Sequence, residues 1–133
     1  MGASSIPLLI KGFLNCNNVP ADTIGRLFLI ENGEVVPQYK IKKQKTSTAQ
    51  IQLALLSAFK NALINPATMF EFSIEEVRTL CKENDVYDVP NFMTNFKNYI
   101  RLFKDFTVDQ KIVKLTTEGK TELSKALIAV ATQ

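Results

Sequence analysis

Histidine is absent from all 133 residues. With it go the commonest general base, the commonest metal ligand and every histidine-dependent triad. Cysteine is nearly absent too: Cys16 and Cys81 are too few for a disulfide scaffold or a cysteine zinc site. A reduced, cytoplasmic chain is the simpler reading, with Cys81 a small buried hydrophobe inside an amphipathic pattern. The five glycines form no phosphate-cradling loop. Glu75 and Glu76, the most conspicuous carboxylate pair, read as first-turn residues that complement a helix dipole. Long apolar runs are missing as well: 27–30 and 53–56 are far too short to span a bilayer. The apolar patch at 6–10 has no basic segment before it and no small-residue cleavage site, so no secretory signal is expected. These absences point away from an enzyme, a cofactor, a metal centre and a membrane protein.

What remains is an ordinary globular composition, 46% hydrophobic and 22% charged, enough for one hydrophobic core. The net charge of +3 is unevenly placed. Residues 1–45 and 89–133 are each basic, whereas 71–88 sets Arg78 and Lys82 against six acids. A polarised surface suits a phosphate-facing side and a solvent-facing side, although the total is small for a nonspecific DNA binder.

Along the chain, 6–13 is a short apolar segment that packs on something else or anchors a partner. Segments 26–30 and 34–41 flank Asn32-Gly33, a strong hairpin signal because both residues accept the positive φ of a type I′ turn. Pro37 puts the second strand at an edge. The run 40–45 (KIKKQK) is either an arm along a phosphate backbone or a solvated linker. Ser47 and Gln50 have the spacing of a capping box ahead of a long, widely apolar helix that stops at Asn65-Pro66. Ser73 and Glu76 form a second such box, opening a helix with Ile74, Val77, Leu80 and Cys81 on one face. Tyr87 fills the gap before the next helix, for which Asp88 is the candidate cap.

In that next helix Phe92, Phe96, Tyr99, Ile100 and Phe103 crowd one side, and Thr94, Lys97, Asn98, Arg101 and Lys104 occupy the other. Arg, Lys, Asn and Thr are what readers of the major groove use, and they are also what any surface helix carries. Segments 105–108 and 111–115 are expected to pair as a hairpin around Asp109-Gln110. A final helix carries Leu123, Leu127, Ile128 and Val130, facing either the first long helix or a second copy of the chain.

The stretch Leu115-Thr116-Thr117-Glu118-Gly119-Lys120, a strand end running into a helix, resembles the end of many bacterial winged helix–turn–helix proteins. The resemblance covers about 48–133. It implies an α+β, mainly helical fold: a winged-helix domain over 46–133 and an N-terminal appendage over 1–45 with a β-hairpin and a basic linker. It further implies that Thr116 caps the final helix, that 91–104 is the recognition helix, and that Asp109-Gln110 and Lys111 form the wing tip. On that basis the nucleic-acid-binding set is Asn91, Thr94, Lys97, Asn98, Arg101, Lys104, Lys111 and Lys114, joined by Lys42, Lys43 and Lys45. The implied partner is duplex DNA, the implied role regulatory and non-enzymatic, and a homodimer would match operator symmetry. The alternative is a protein–protein module of the same fold within a larger assembly. Two features depart from the pattern: acids at 105 and 109 near the wing, and a connection over 84–90 longer than a DNA-binding turn normally has.

Overall fold

The computed structural model describes residues 6–42 and 44–132. The chain is an α+β protein, mainly helical, with two small antiparallel sheets. Helix α1 (Leu8–Cys16) and the short α2 (Thr23–Leu27) lead into a hairpin of β1 (Phe28–Glu31) and β2 (Glu34–Pro37). Asn32 and Gly33 sit at φ 52° and 80°, the left-handed turn that the Asn-Gly pair predicts. The strands are shorter than expected, because Arg26 and Leu27 finish α2 instead of extending β1.

Helix α3 (Thr46–Ile64) is apolar on more than one side, and Leu53, Leu56 and Phe59 are fully covered. A helix that is hydrophobic nearly all round must lie inside, and α3 is the post on which the other elements stack. It carries no side-chain cap: it starts at Thr46, one residue before the expected Ser47. Gln50 does not reach back to the helix start, because it is buried and bonded elsewhere.

Strand β3 (Glu71–Ser73) then runs into α4 (Ile74–Glu83), which Ser73 caps by accepting the Glu76 N–H at 3.2 Å. Only half of the expected box forms. The Glu76 carboxylate turns to Lys60 of α3 at 2.6 Å and to the Asn61 side-chain amide at 3.2 Å. Asp88 caps nothing; its carboxylate accepts from the Asn91 side chain. Helix α5 spans only Phe92–Asn98. Tyr99 breaks it, a 3-10 turn follows over Ile100–Leu102, and Phe103 is extended. The expected helix over 91–104 is therefore cut short, and Ile100, assigned to the core side, is exposed. Beyond that turn the chain is tied to α6 (Thr117–Ala131), whose N-terminal cap captures the carbonyls of Arg101 and Leu102.

The expected hairpin between 105–108 and 111–115 also fails to form. Strand β4 (Ile112–Lys114) pairs instead with β3, Phe72 opposite Val113. Residues 103–104 add only a bridge from Phe103 to Leu115 and a bond from the Lys104 N–H to the Lys114 carbonyl. Asp105, at φ 49°, turns the chain away. Phe106 is then drawn into the core beside Phe96 and Phe103, which removes this segment from the ladder.

One hydrophobic cluster joins Ile10, Phe13, Leu14, Ile24 and Leu27 of the N-terminal stretch to α3, the β3–β4 sheet and α6. Phe13 lies 5.1 Å from the Phe70 ring centroid and Phe28 lies 5.8 Å from that of Phe59, so the segment over 6–28 shares this core. Leu123, Leu127 and Val130 of α6 are buried within the chain, whereas Ile128 is exposed.

The start of α6 is the tightest point. Thr116 accepts the Gly119 N–H at 3.0 Å and donates its hydroxyl to the Arg101 carbonyl at 2.7 Å. The Thr116 N–H bonds the Leu102 carbonyl at 2.9 Å. A Cβ on Gly119 would fall 2.3 Å from that same carbonyl oxygen, so only glycine fits. Replacing an exposed helical glycine by alanine gains about 1 kcal/mol, whereas forcing a methyl against backbone costs about 1–3 kcal/mol. Gly119→Ala is expected to be net destabilising in urea unfolding, the reverse of the propensity scale.

Burial alone would raise the Glu76 carboxyl, but the Lys60 ammonium and the Asn61 amide outweigh it and hold it below its ordinary 4.5. A depressed folded pKa gives stability that is complete above the unfolded value and is lost as pH falls through the folded one. The stability gap between the parent and Glu76→Gln should stay constant at about 2 kcal/mol from neutrality down to about pH 5 and shrink below it, read by urea unfolding across pH.

Candidate nucleic-acid interface

Helix α5 is too short to persist alone, so its position comes from what grips its back. Phe92 and Phe96 are buried in an edge-to-face pair at 5.2 Å, and Phe96 continues to Phe72 and Phe103 at 5.7 and 5.6 Å. Tyr87 meets Phe92 edge-on, as its place between the helices suggested. Arg78 of α4 stacks on the Phe92 ring, bonds the Tyr87 hydroxyl and pairs with Glu75. A buried amide pair completes the grip. The Gln50 side chain donates to the Phe92 carbonyl at 2.8 Å and accepts from the Asn95 amide at 2.9 Å. Gln50 has in sequence only the spacing of a capping residue, and Asn95 carries no signal beyond its place in the helix.

With its back held, α5 turns Thr94, Lys97 and Asn98 outward, all exposed. The other expected site residues divide. Asn91 is exposed, with its amide on Asp88. Arg101 is exposed on the 3-10 turn, with Nε 3.6 Å from Glu118 of α6. Lys114 faces Glu71 across the sheet at 3.5 Å. Lys104 lies past the helix, in the segment beside β4, and Lys111 closes the loop over 105–111; both are exposed. Lys42 and Lys45 are exposed on the approach to α3, and Lys43 lies outside the described residues. Among the described residues, Lys97, Lys104 and Lys111 take part in no salt bridge.

Nothing in this arrangement resembles an acid–base or metal site. No group of three or more metal-ligating side chains occurs among the described residues, and no helix there is long and apolar enough to cross a membrane. The shifted groups have structural causes: burial pushes the Cys81 thiol up to about 11, which makes it unreactive, and burial likewise raises Tyr39. Comparison with protein-family models, curated proteins and solved structures finds no match to this chain.

Asn95→Leu strands a buried Gln50 oxygen and is expected to destabilise by about 2 kcal/mol. Adding Gln50→Met removes the stranded group, so the double variant should lose less than the two single changes together, measured by urea unfolding.

Proposed function

We propose that the chain is a winged helix–turn–helix protein that binds duplex nucleic acid, without catalysis, through the outer face of α5. The order α3, β3, α4, α5, β4, α6, with β3 and β4 paired around the helices, supports the fold assignment. The observation that carries the functional reading is the exposed trio Thr94, Lys97 and Asn98 on a helix anchored from behind by aromatic rings and a buried amide pair. Lysine donates to guanine edges or phosphates, asparagine pairs with adenine, and threonine offers a hydroxyl and a methyl. Lys104 and Lys111, free of ion pairs, would rest on phosphates, with Lys42 and Lys45 following the backbone further out. Arg101 and Lys114 are already matched by Glu118 and Glu71, so their share is smaller than their charge suggests. A cytoplasmic setting goes with this reading and with the two free cysteines.

A second reading, a protein–protein module of the same fold, is favoured by exposed apolar side chains: Val89 and Ile100, which flank α5 along the chain, and Val108 are each more than half exposed. Salt separates the two readings. Duplex binding should weaken steeply as salt rises, and Lys97→Glu should lower affinity about tenfold at low salt and flatten the salt slope by about one unit. Absence of duplex binding at low salt, or binding indifferent to salt and to Lys97→Glu, would favour the protein–protein module.

A further inference from the structure

Away from the α5 face, a groove of about 480 Å³ runs between α1 and the first turn of α6. Its walls are apolar: Leu8, Leu9 and Phe13 from α1, and Phe70 from the segment ahead of β3. Its size falls within the range of small-molecule sites. Among the described residues, Lys120 carries the only full charge on the lining, which includes no carboxylate there. The Lys120 ammonium lies 5.5 Å from the Phe70 ring centroid and forms no salt bridge among the described residues.

Two further features keep this groove open. Gly12 sits in the middle of α1, where glycine weakens a helix. No neighbour demands it there, because a Cβ would meet nothing within 4 Å. Its missing side chain leaves the wall of the groove unfilled. Phe70 is held at φ 63°, directly after Met69 at 53°, a conformation that bulky residues avoid. That backbone places its ring between Phe13 and the Lys120 ammonium. At the rim, Leu8 is 84% exposed, apolar surface left in water.

We propose that the groove binds a medium-chain carboxylate, its hydrocarbon chain along Leu8, Leu9, Phe13 and Phe70 and its head on Lys120. The assignment rests on complementarity: apolar walls, one unmatched cation and no acid. It is independent of nucleic-acid binding.

The test titrates the full chain with decanoate below its micellar concentration, following backbone amide shifts and the alkylation rate of Cys16. Cys16 lines the groove and is exposed whereas Cys81 is buried, so the rate reports on the groove alone. Saturable shifts at Gly12 and Thr121, slower alkylation, and weaker binding of decanol and decyltrimethylammonium are expected. Lys120→Met should weaken decanoate about fivefold. Gly12→Leu, which grows into open space, should abolish binding while keeping at least the parent's thermal stability. Absence of saturable shifts, equal affinity for decanol, or undiminished binding by folded Gly12→Leu would overturn the proposal.

Discussion

Two backbone carbonyls, those of Arg101 and Leu102, tie the chain leaving α5 to α6 and set how the second half of the chain closes. Thr116 takes both, one with its hydroxyl and one with its N–H, while capping α6 through the Gly119 amide. With those two carbonyls bonded to α6, no helix resumes after the 3-10 turn, and the chain leaves as extended backbone at Phe103. Phe103 then meets Leu115 in a bridge, which sets β4 beside β3. The missing side chain of Gly119 lets these elements approach to contact. The end of α5, the sheet and the start of α6 are thus one joint.

The front of α5 depends on a different grip. Gln50 holds the first carbonyl of the helix and Asn95 in its middle, from the most deeply buried helix in the molecule. Aromatic contacts from Phe72 through Phe96 to Phe103 span the distance between that grip and the Thr116 joint. A seven-residue helix fixed at both ends has little freedom to rotate, so Thr94, Lys97 and Asn98 stay on the outside. The proposed duplex binding relies on this rigidity together with the charge of Lys97, Lys104 and Lys111, since Arg101 and Lys114 already face acidic partners.

Several local signals in the sequence carry over into the structure. Asn32-Gly33 makes its turn, Ser73 and Thr116 cap their helices, and the phenylalanines of α5 face inward. Each depends on residues within four positions of one another. Several of the differences involve partners far apart in sequence, although Asp88 bonds its near neighbour Asn91 instead of capping. Gln50 has the spacing of a capping residue but is satisfied by residues more than 40 positions away. The periodicity through 103 continues a helix that ends at Asn98, and the chain past the 3-10 turn is bonded to α6 instead. The alternation at 105–115 suggests a hairpin, but Phe106 gains more by joining Phe96 and Phe103 in the core. Of the proposed interface, the outward trio was legible because helical spacing alone places it. The neutralisation of Arg101 by Glu118 was not, because it needs the joint.

The account stands or falls on whether the outer face of α5 is where nucleic acid sits. Amide hydrogen exchange of the full chain, with and without a saturating random-sequence duplex at low salt, tests this directly. The account predicts added protection concentrated over 94–98 and 104–111, with the hairpin over 28–37 unchanged. Protection confined to the hairpin or to α1, with 94–98 exchanging as in the free protein, would contradict it.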